Sequence, residues 1–405
     1  MERPYPKITV TKKCEKFIKS GHVWVYSDEI LHTDKAYENG DIVDVYTEKN
    51  RYLGSGYIND HSKIRVRIIS KNANDRFDED FYRRRIRYAV DYRVAVMGED
   101  FSCCRLIFGE ADGFPGLTVD RFEDILVVQV LSLGIERVKD MIIRLLREAL
   151  SEKGAAVRAV YERNDVKVRE LEGLSQYKGF YQAQGLCDDL DGIVRIKENG
   201  ILYDVDYIEG QKTGFFLDQK YNRLAIRKIA KGRKVLDCFT HTGAFALNAA
   251  VTAEHVTAVD ISETALQMAK HNASLNGFQN IDFIEANVFD LFTNYALTNR
   301  REYDMIILDP PAFTKSRSTA KDAARGYKEI NLKAMRLLPR GGYLATCSCS
   351  HFMTDRMFRE MLASAARDAG VSLRQIECRQ QACDHPILWG VEETDYLKFY
   401  IFQVV

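Results

Sequence analysis

Lys234-Val235-Leu236-Asp237-Cys238-Phe239-Thr240-His241-Thr242-Gly243-Ala244-Phe245 reads as a buried strand, a tight turn and a helix start. The next strand, Val256-Thr257-Ala258-Val259-Asp260, ends on an acid 23 residues after Asp237. A doubly wound α/β sheet sets a carboxylate against the ribose of a bound nucleoside at about that distance. Working outward, strands are expected near 234–239, 256–260, 281–285, 304–308, 342–347, 372–378 and 396–403, with helical segments between most of them. Such alternation implies right-handed crossovers and a largely parallel sheet. The closing strand, Tyr396-Leu397-Lys398-Phe399-Tyr400-Ile401-Phe402, follows its predecessor without a helix and is expected to join antiparallel.

The remainder divides by pattern. Residues 1–72 are strand-rich and broken by turns: Asp41 to Tyr46 and Lys63 to Ile69 alternate, with Gly54-Ser55-Gly56-Tyr57 between them. Alternation with glycine breaks points to half-buried antiparallel strands, and a small β-barrel is the economical expectation. Residues 73–188 mix elements into a central α+β domain, with helices expected over Asp80–Val96 and Arg137–Lys153 and a turn-rich loop at Gly109 to Gly116. Residues 189–405 carry the sheet.

Bulk composition excludes several classes. Lys+Arg and Asp+Glu both number 58 in 405 residues, so no global basic field dictates a partner. Nine cysteines show no Cys-x-x-Cys pairing, so no metal is expected. A disulfide framework is not expected in a chain of this length, and reduced thiols suit a cytoplasmic protein. The first residues, Met1 to Lys7, hold no apolar signal core. No run of about 18 apolar residues occurs, so no membrane partner is expected.

A ligand in such a sheet binds beyond the carboxyl ends of the strands, where strand order reverses. Gly243 stands where backbone must approach the ligand closely. Asp237 could hold an amino group directly or through water, Asp260 is the expected ribose acceptor, and Asn287 after Ile284-Glu285-Ala286 is placed for an adenine. Phe239 and Thr242, in the same turn, complete the expected cofactor loop. Asp260 could instead serve a helix start, since Ser262 and Glu263 follow. Binding of NAD expects G-x-G-x-x-G, whereas the run here has one glycine. A cofactor without phosphates fits better.

Two further stretches carry the chemistry. Leu308-Asp309-Pro310-Pro311-Ala312-Phe313 ends the fourth strand. Its prolines hold Asp309 extended, giving a rigid group that can grip a nucleobase edge beside Pro310, Pro311 and Phe313. Thr346-Cys347-Ser348-Cys349-Ser350 ends the fifth strand at the same edge. Carbon 5 of a pyrimidine is a poor nucleophile until a thiolate adds to carbon 6, which is covalent catalysis of an ordinary kind. Parity puts Cys347 and Cys349 on one face, and position further out favours Cys349. Cys347, Cys238, Cys103, Cys104 and Cys187 are expected as buried apolar residues. His351 and His385 read as structural histidines, and no residue identifies itself as the base that removes the carbon 5 proton. The four stretches together point to a methyltransferase that uses S-adenosylmethionine.

These motifs resemble the bacterial 23S ribosomal RNA cytosine-5 methyltransferase family of the large-subunit RNA methyltransferase I type. The resemblance runs over essentially the whole chain: His22 to Ser27, Gly109 to Gly116, Lys212 to Gln219, Arg325 to Asn331 and Ala382 to Pro386 match alongside the stretches above. It implies a PUA-type barrel, a small central domain and a Rossmann-like, seven-stranded class I methyltransferase domain. It maps the nucleophile onto Cys349 and implies that Asp218, Gln219 and Arg223 close over the cofactor. A related family methylates guanine, shares D-P-P-x-F and lacks the cysteine, so Cys349 carries the cytosine assignment. The rivals are guanine methylation with a structural Cys349, and a non-catalytic RNA-binding assembly factor. Local basic clusters suit a ribosomal RNA partner: Arg83 to Arg93 on the first long helix, and Lys315, Arg317, Lys321 and Arg325 after the Asp-Pro-Pro turn. A solvated charged face is the plain alternative, with Asp78, Glu79 and Asp80 beside the first cluster. The target cytosine should be unpaired or flipped out. A homodimer would suit the central domain.

Overall fold

The computed structural model describes residues 3–313 and 320–405. The first six strands are β1 (Lys7–Val10), β2 (Trp24–Tyr26), β3 (Ile30–Thr33), β4 (Ile42–Thr47), β5 (Tyr52–Ile58) and β6 (Ile64–Ser70), with α1 (Lys12–Lys19) between β1 and β2. They form one sheet in the order β2-β6-β5-β4-β1-β3. Ile8, Val25, Val43, Val45, Ile58 and Val66 close on Cys14 and Ile18 of α1 to make its core. Gly54-Ser55-Gly56-Tyr57, expected to separate two strands, instead lies inside β5. There Gly56 lets β6 come close: a Cβ would stand 2.0 Å from the Arg67 carbonyl oxygen. β1 and β4 run parallel, a departure from the all-antiparallel expectation.

A second sheet follows, built from β7 (Cys103–Phe108), β8 (Leu117–Phe122), β9 (Ile125–Val130), β10 (Ala159–Asn164) and β11 (Tyr177–Phe180), in the order β11-β10-β9-β8-β7. The helices α2 (Glu79–Met97) and α3 (Leu133–Glu152) accompany it. Asp78 caps α2 by accepting from the Phe81 N–H at 3.1 Å, and Gly98, at φ 54°, ends it. A two-stranded sheet of β12 (Ile193–Glu198) and β13 (Ile201–Asp206) comes next.

The last sheet holds β14 (Lys234–Cys238), β15 (His255–Asp260), β16 (Ile281–Glu285), β17 (Met305–Leu308), β18 (Tyr343–Ser348), β19 (Leu373–Arg379) and β20 (Lys398–Val404). Its order is β16-β15-β14-β17-β18-β20-β19. The first five strands in that order are parallel neighbours, and β20 is antiparallel to both β18 and β19, as the missing helix implied. The helices are α4 (Lys220–Ala230), α5 (Ala244–Ala250), α6 (Glu263–Leu275), α7 (Val288–Leu297), α8 (Ala320–Leu337) and α9 (Asp355–Ala369). Strand residues alternate between the two faces. Leu236, Cys238, Ile306 and Leu308 pack with Phe292, Tyr327 and Phe358, while Val235, Met305 and Ile307 pack with Ile226, Phe245 and Ala249. From β14 the chain builds outward through β15 to β16, then returns to β17 on the other side. This reversal opens a crevice at the carboxyl ends of β14 and β17.

The chain divides into two compact units. One holds the residues up to Ile196 with Val205–Leu217 and Cys383–Thr394; the other holds Lys197–Asp204, Asp218–Ala382 and Asp395–Val405. Three stretches beyond residue 188, namely 189–196, 205–217 and 383–394, therefore cluster with the N-terminal unit. Within it, Asp384 accepts from the Arg105 N–H at 2.8 Å, and His385, fully buried, contacts Asp384 at 2.8 Å. His385 is thus a structural histidine of that unit.

Candidate active site

The site grows from the turn after β14. Phe239 and His241 take φ of 65° and 50°, and Gly243 takes 84°. Three left-handed residues in five turn the chain sharply enough to start α5 beside the sheet edge. Only Gly243 is free of a Cβ penalty. A Cβ there would meet Leu247 Cδ1 at 2.8 Å and Ala269 Cβ at 3.0 Å, so α5 and α6 demand a glycine as well. Thr242 and Phe239 are half-buried at this turn.

Asp237 is fully buried. Its Oδ2 accepts from the Thr240 hydroxyl at 2.6 Å, while Oδ1 has no hydrogen-bond partner among the described residues. Burial pushes its carboxyl up to about 8, with Asp309 and Asp260 adding to the rise. Asp260, at the end of β15, accepts from the His241 N–H at 2.8 Å and the Ser262 N–H at 3.0 Å. The hydroxyl of Ser262, and not Asp260, caps α6. Asp260 therefore fastens the turn after β14 to the end of β15.

Asn287 is exposed and caps α7, its Oδ1 accepting from the Phe289 N–H at 2.9 Å. Its amide nitrogen remains the atom that could meet a base.

Asp309 follows β17 and is half-buried. Burial, with Asp218 close by, pushes its carboxyl up to about 7, and Arg223 opposes the rise. Gln219 Nε2 donates to Asp309 Oδ1 at 3.1 Å, and Asn222 Nδ2 donates to Gln219 Oε1 at 2.7 Å, which fixes the glutamine's orientation. Arg223 is fully buried and donates both ways to Glu198 at 2.7 Å. Its guanidinium is held by that carboxylate, and its charge bears on Asp309. Tyr396 donates to Asp218 Oδ2 at 2.6 Å. Pro310 is buried and Pro311 exposed. Phe313 turns inward, with its ring 4.6 Å from that of Tyr327. Lys315 and Arg317 lie outside the described residues.

The two cysteines separate by burial. Cys347 lies within β18, opposite Phe399, and is fully buried. Burial raises its thiol well above the ordinary value, with Asp309 contributing. Cys349 falls one residue beyond the strand end and is half-buried. Cys103, Cys104 and Cys238 are buried as expected, whereas Cys187 is exposed, on a segment where its N–H reaches the Arg158 carbonyl at 2.8 Å. His351 is half-buried, with its ring against Phe352.

Sequence reasoning missed Lys398. It opens β20 opposite Ser348 and is buried. Its Nζ donates to the Ser350 carbonyl at 2.7 Å and the Tyr396 carbonyl at 2.8 Å. Burial lowers it to about 8, and Cys349 interacts with its charge. A lysine inside the otherwise apolar Leu397 to Phe402 run was the available signal. Asn222 was missed too, since nothing local marks a residue that acts by orienting another.

The crevice thus offers acids at the ends of β14, β15 and β17, a glycine-opened turn and no phosphate-cradling glycine loop. S-adenosylmethionine carries positive charge on its sulfonium and α-ammonium and has no phosphate. Asp237, with an unsatisfied buried oxygen, and Asp309 fit such a group, and Asp260 fits a ribose. The fold and this site define an S-adenosylmethionine-dependent methyltransferase.

Comparison agrees. Residues 113–402 match the S-adenosylmethionine-dependent methyltransferase family and residues 8–71 match the PUA-like domain. The chain belongs to the S-adenosylmethionine-dependent methyltransferase family, among relatives named ribosomal RNA large subunit methyltransferase I. One from Aliivibrio fischeri is 38% identical over 98% of this chain and 99% of its own. Another, from Aeromonas salmonicida, is 39% identical over 96% and 97%. A structure assigned as a SAM-dependent methyltransferase from Streptococcus mutans superposes with a TM-score of 0.81 at 22% identity, covering 98% of this chain and all of that one. A methyltransferase solved with SAH gives 0.82 at 22% over the same shares. Among the described residues no cluster of His, Cys, Asp and Glu could hold a metal ion, and no helix is long and apolar enough to cross a membrane.

Proposed function

We propose that the chain methylates carbon 5 of a cytosine in large-subunit ribosomal RNA, with Cys349 as the covalent nucleophile. The observation that carries this reading is the contrast at the end of β18. Cys347 is sealed in the core, whereas Cys349 lies past the strand end, half-buried, with the ammonium of Lys398 bearing on it. A nearby cation favours thiolate, the form that attacks. The relatives' name supplies ribosomal RNA as the substrate class.

S-adenosylmethionine, when bound, supplies an electrophilic methyl group; Asp237, Gly243, Asp260 and Asp309 are the residues that would hold it, with Phe239, Thr242, Gln219 and Asn287 at its margins. Cys349 Sγ would bond to carbon 6 of the cytosine and place electron density at carbon 5, the atom that would accept the methyl as its bond to the sulfonium sulfur breaks to leave a neutral thioether. A base then removes the carbon 5 proton, the carbon 6–sulfur bond breaks, and Cys349 returns as thiolate. Asp309 and Pro310 would hold the base edge during these steps. The target must be unpaired or flipped out, because a stacked cytosine cannot offer carbon 6 to a thiol.

The test is nucleoside mass analysis of deproteinised 23S RNA after incubation with the protein and labelled S-adenosylmethionine. Labelled 5-methylcytidine that disappears with Cys349→Ala is the expected result. Labelled methylguanosine, or 5-methylcytidine undiminished by Cys349→Ala, would overturn the covalent reading.

A further inference from the structure

The N-terminal unit holds a cavity of about 850 Å³, lined in part by Lys71, Arg84, Arg85, Tyr88, Gly113 and Trp389. None of these residues belongs to the candidate active site. The volume falls in the range of pockets that take small organic groups.

Its charges are unequal in availability. The acids on its wall are already engaged: Asp112 with Arg93 at 2.6 Å, Glu110 with Trp24 Nε1 at 3.0 Å, and Asp75 with Arg84 at 3.1 Å and the Ser70 hydroxyl at 2.6 Å. Two cations have no acid partner among the described residues. Lys71 Nζ donates to the Ile18 carbonyl at 2.9 Å. The Arg85 guanidinium lies 4.6 Å over the Phe81 ring and makes no hydrogen bond or ion pair there. Burial lowers its pKa, and Asp75, which makes no ion pair with it, only partly opposes the drop. Its place is built in. A Cβ on Gly113 would stand 2.0 Å from Arg85 Nη1, and Gly113 has φ 75°.

The aromatic side is equally fixed. Trp389 is 91% exposed and Tyr88 65%. Gly390 presses against Gly21, where a Cβ on Gly21 would meet Gly390 Cα at 2.8 Å. The loop that carries Trp389 is thereby seated on the turn after α1 while its ring stands in water. Bare aromatic faces beside cations that no acid pairs directly are the combination that binds single-stranded nucleic acid: bases stack and phosphates neutralise charge.

We propose that this cavity takes an unpaired nucleotide of an RNA strand, its phosphate against Arg85 and Lys71 and its base on Trp389 or Tyr88. The proposal rests on the RNA reading of the function and adds a contact outside the methyl-transfer site. Free mononucleotides share the chemistry, and the test separates them.

The full chain is titrated against a fluorescein-labelled single-stranded oligoribonucleotide, followed by anisotropy over a range of salt. AMP and inorganic phosphate serve as competitors. Trp389→Ala, at an exposed position, is expected to weaken binding about five- to hundred-fold, the loss of one stacked base. Arg85→Gln is expected to weaken it and to lower the salt slope by about one, with Arg85→Lys restoring the slope. S-adenosylmethionine affinity should be unchanged in all three variants, which establishes that they are folded. Binding within twofold of wild type for both Trp389→Ala and Arg85→Gln would overturn the proposal. So would tight AMP binding without oligonucleotide binding, or a change in sedimentation with Trp389→Ala that marks a contact between copies. Oligonucleotide affinity is blind to which base is methylated. A failure here therefore stands apart from a failure to find 5-methylcytidine.

Discussion

Two carboxyls that burial raises make cofactor affinity depend on pH, in a direction the structure sets. Asp237 titrates at about 8 and Asp309 at about 7 because burial disfavours their charged forms. A cationic cofactor binds the ionised forms, so protons must leave as it enters. At pH 6 a group of pKa about 7 is roughly one-tenth ionised and one of pKa about 8 roughly one-hundredth; at pH 8 the fractions are about nine-tenths and one-half. Lowering pH from 8 to 6 should therefore weaken S-adenosylmethionine about tenfold through Asp309 alone. If Asp237 must also ionise, the loss reaches several hundred-fold. The stability sign follows. Both carboxyls are raised above their unfolded values, so the ligand-free protein holds extra protons between the ordinary carboxylate range and about pH 8. It loses stability as pH rises through that window. Bound cofactor offsets this loss, so the cofactor's thermal shift should grow with pH. Calorimetry at several pH values, in buffers of different ionisation enthalpy, measures both affinity and protons released. Asp237→Asn and Asp309→Asn should each lower the slope of log affinity against pH, by up to about one below the pKa of the carboxyl removed. A wild-type profile parallel to both variants would refute the reasoning.

Three other outcomes are expected. Gly243→Ala forces a Cβ into a left-handed residue and against Leu247 and Ala269. It should destabilise by roughly 2–5 kcal/mol in urea unfolding, from about 1–2 for the backbone and 1–3 for overpacking. Glu198→Gln removes the carboxylate to which the buried Arg223 donates twice and should cost about 3–5 kcal/mol in the same assay, whereas a loss below ~1 kcal/mol would mean that other groups hold the guanidinium. Lys398→Met removes the donor to the Ser350 and Tyr396 carbonyls. It should lower kcat about ten- to hundred-fold, the worth of one charged hydrogen bond at ~1.5–3 kcal/mol, while leaving the KM for S-adenosylmethionine unchanged. The pH–rate profile should also change near pH 8, where the wild-type ammonium loses its charge.

The parallel core was legible because its strands are buried on both faces and read as continuous apolar runs such as Met305-Ile306-Ile307-Leu308. The barrel-like sheet was less so. Gly54 and Gly56 signalled a break by composition, yet they sit in β5 because neighbouring strand atoms leave no room for side chains. A glycine that makes a turn and one that admits a neighbouring strand look alike in sequence. The Cys347 and Cys349 pair shows the same limit. Strand parity gives both cysteines one face, and only the end of β18 at Ser348 separates a core thiol from a half-buried one.

The site's acids were visible one at a time, but their joint consequence was not. Asp218, Asp237 and Asp309 come from the segment before α4, the end of β14 and the end of β17; Asp218 raises Asp309, and Asp309 raises Asp237, only once the sheet has assembled. The cation nearest to hand in sequence, Arg223, is held by Glu198 from β12, more than twenty residues earlier. What remains is a crevice with an excess of buried negative charge. That charge is the physical counterpart of the missing second and third glycines in the turn after β14. A pyrophosphate would lack its backbone cradle and would meet like-charged carboxylates, each costly to desolvate beside it. A sulfonium and an ammonium meet the opposite situation, because they supply the charge that lets Asp237 and Asp309 ionise. Loop and electrostatics thus select against one class of nucleoside cofactor and for the other by independent routes. Reversing the choice would require new glycines and the removal of at least two acids together.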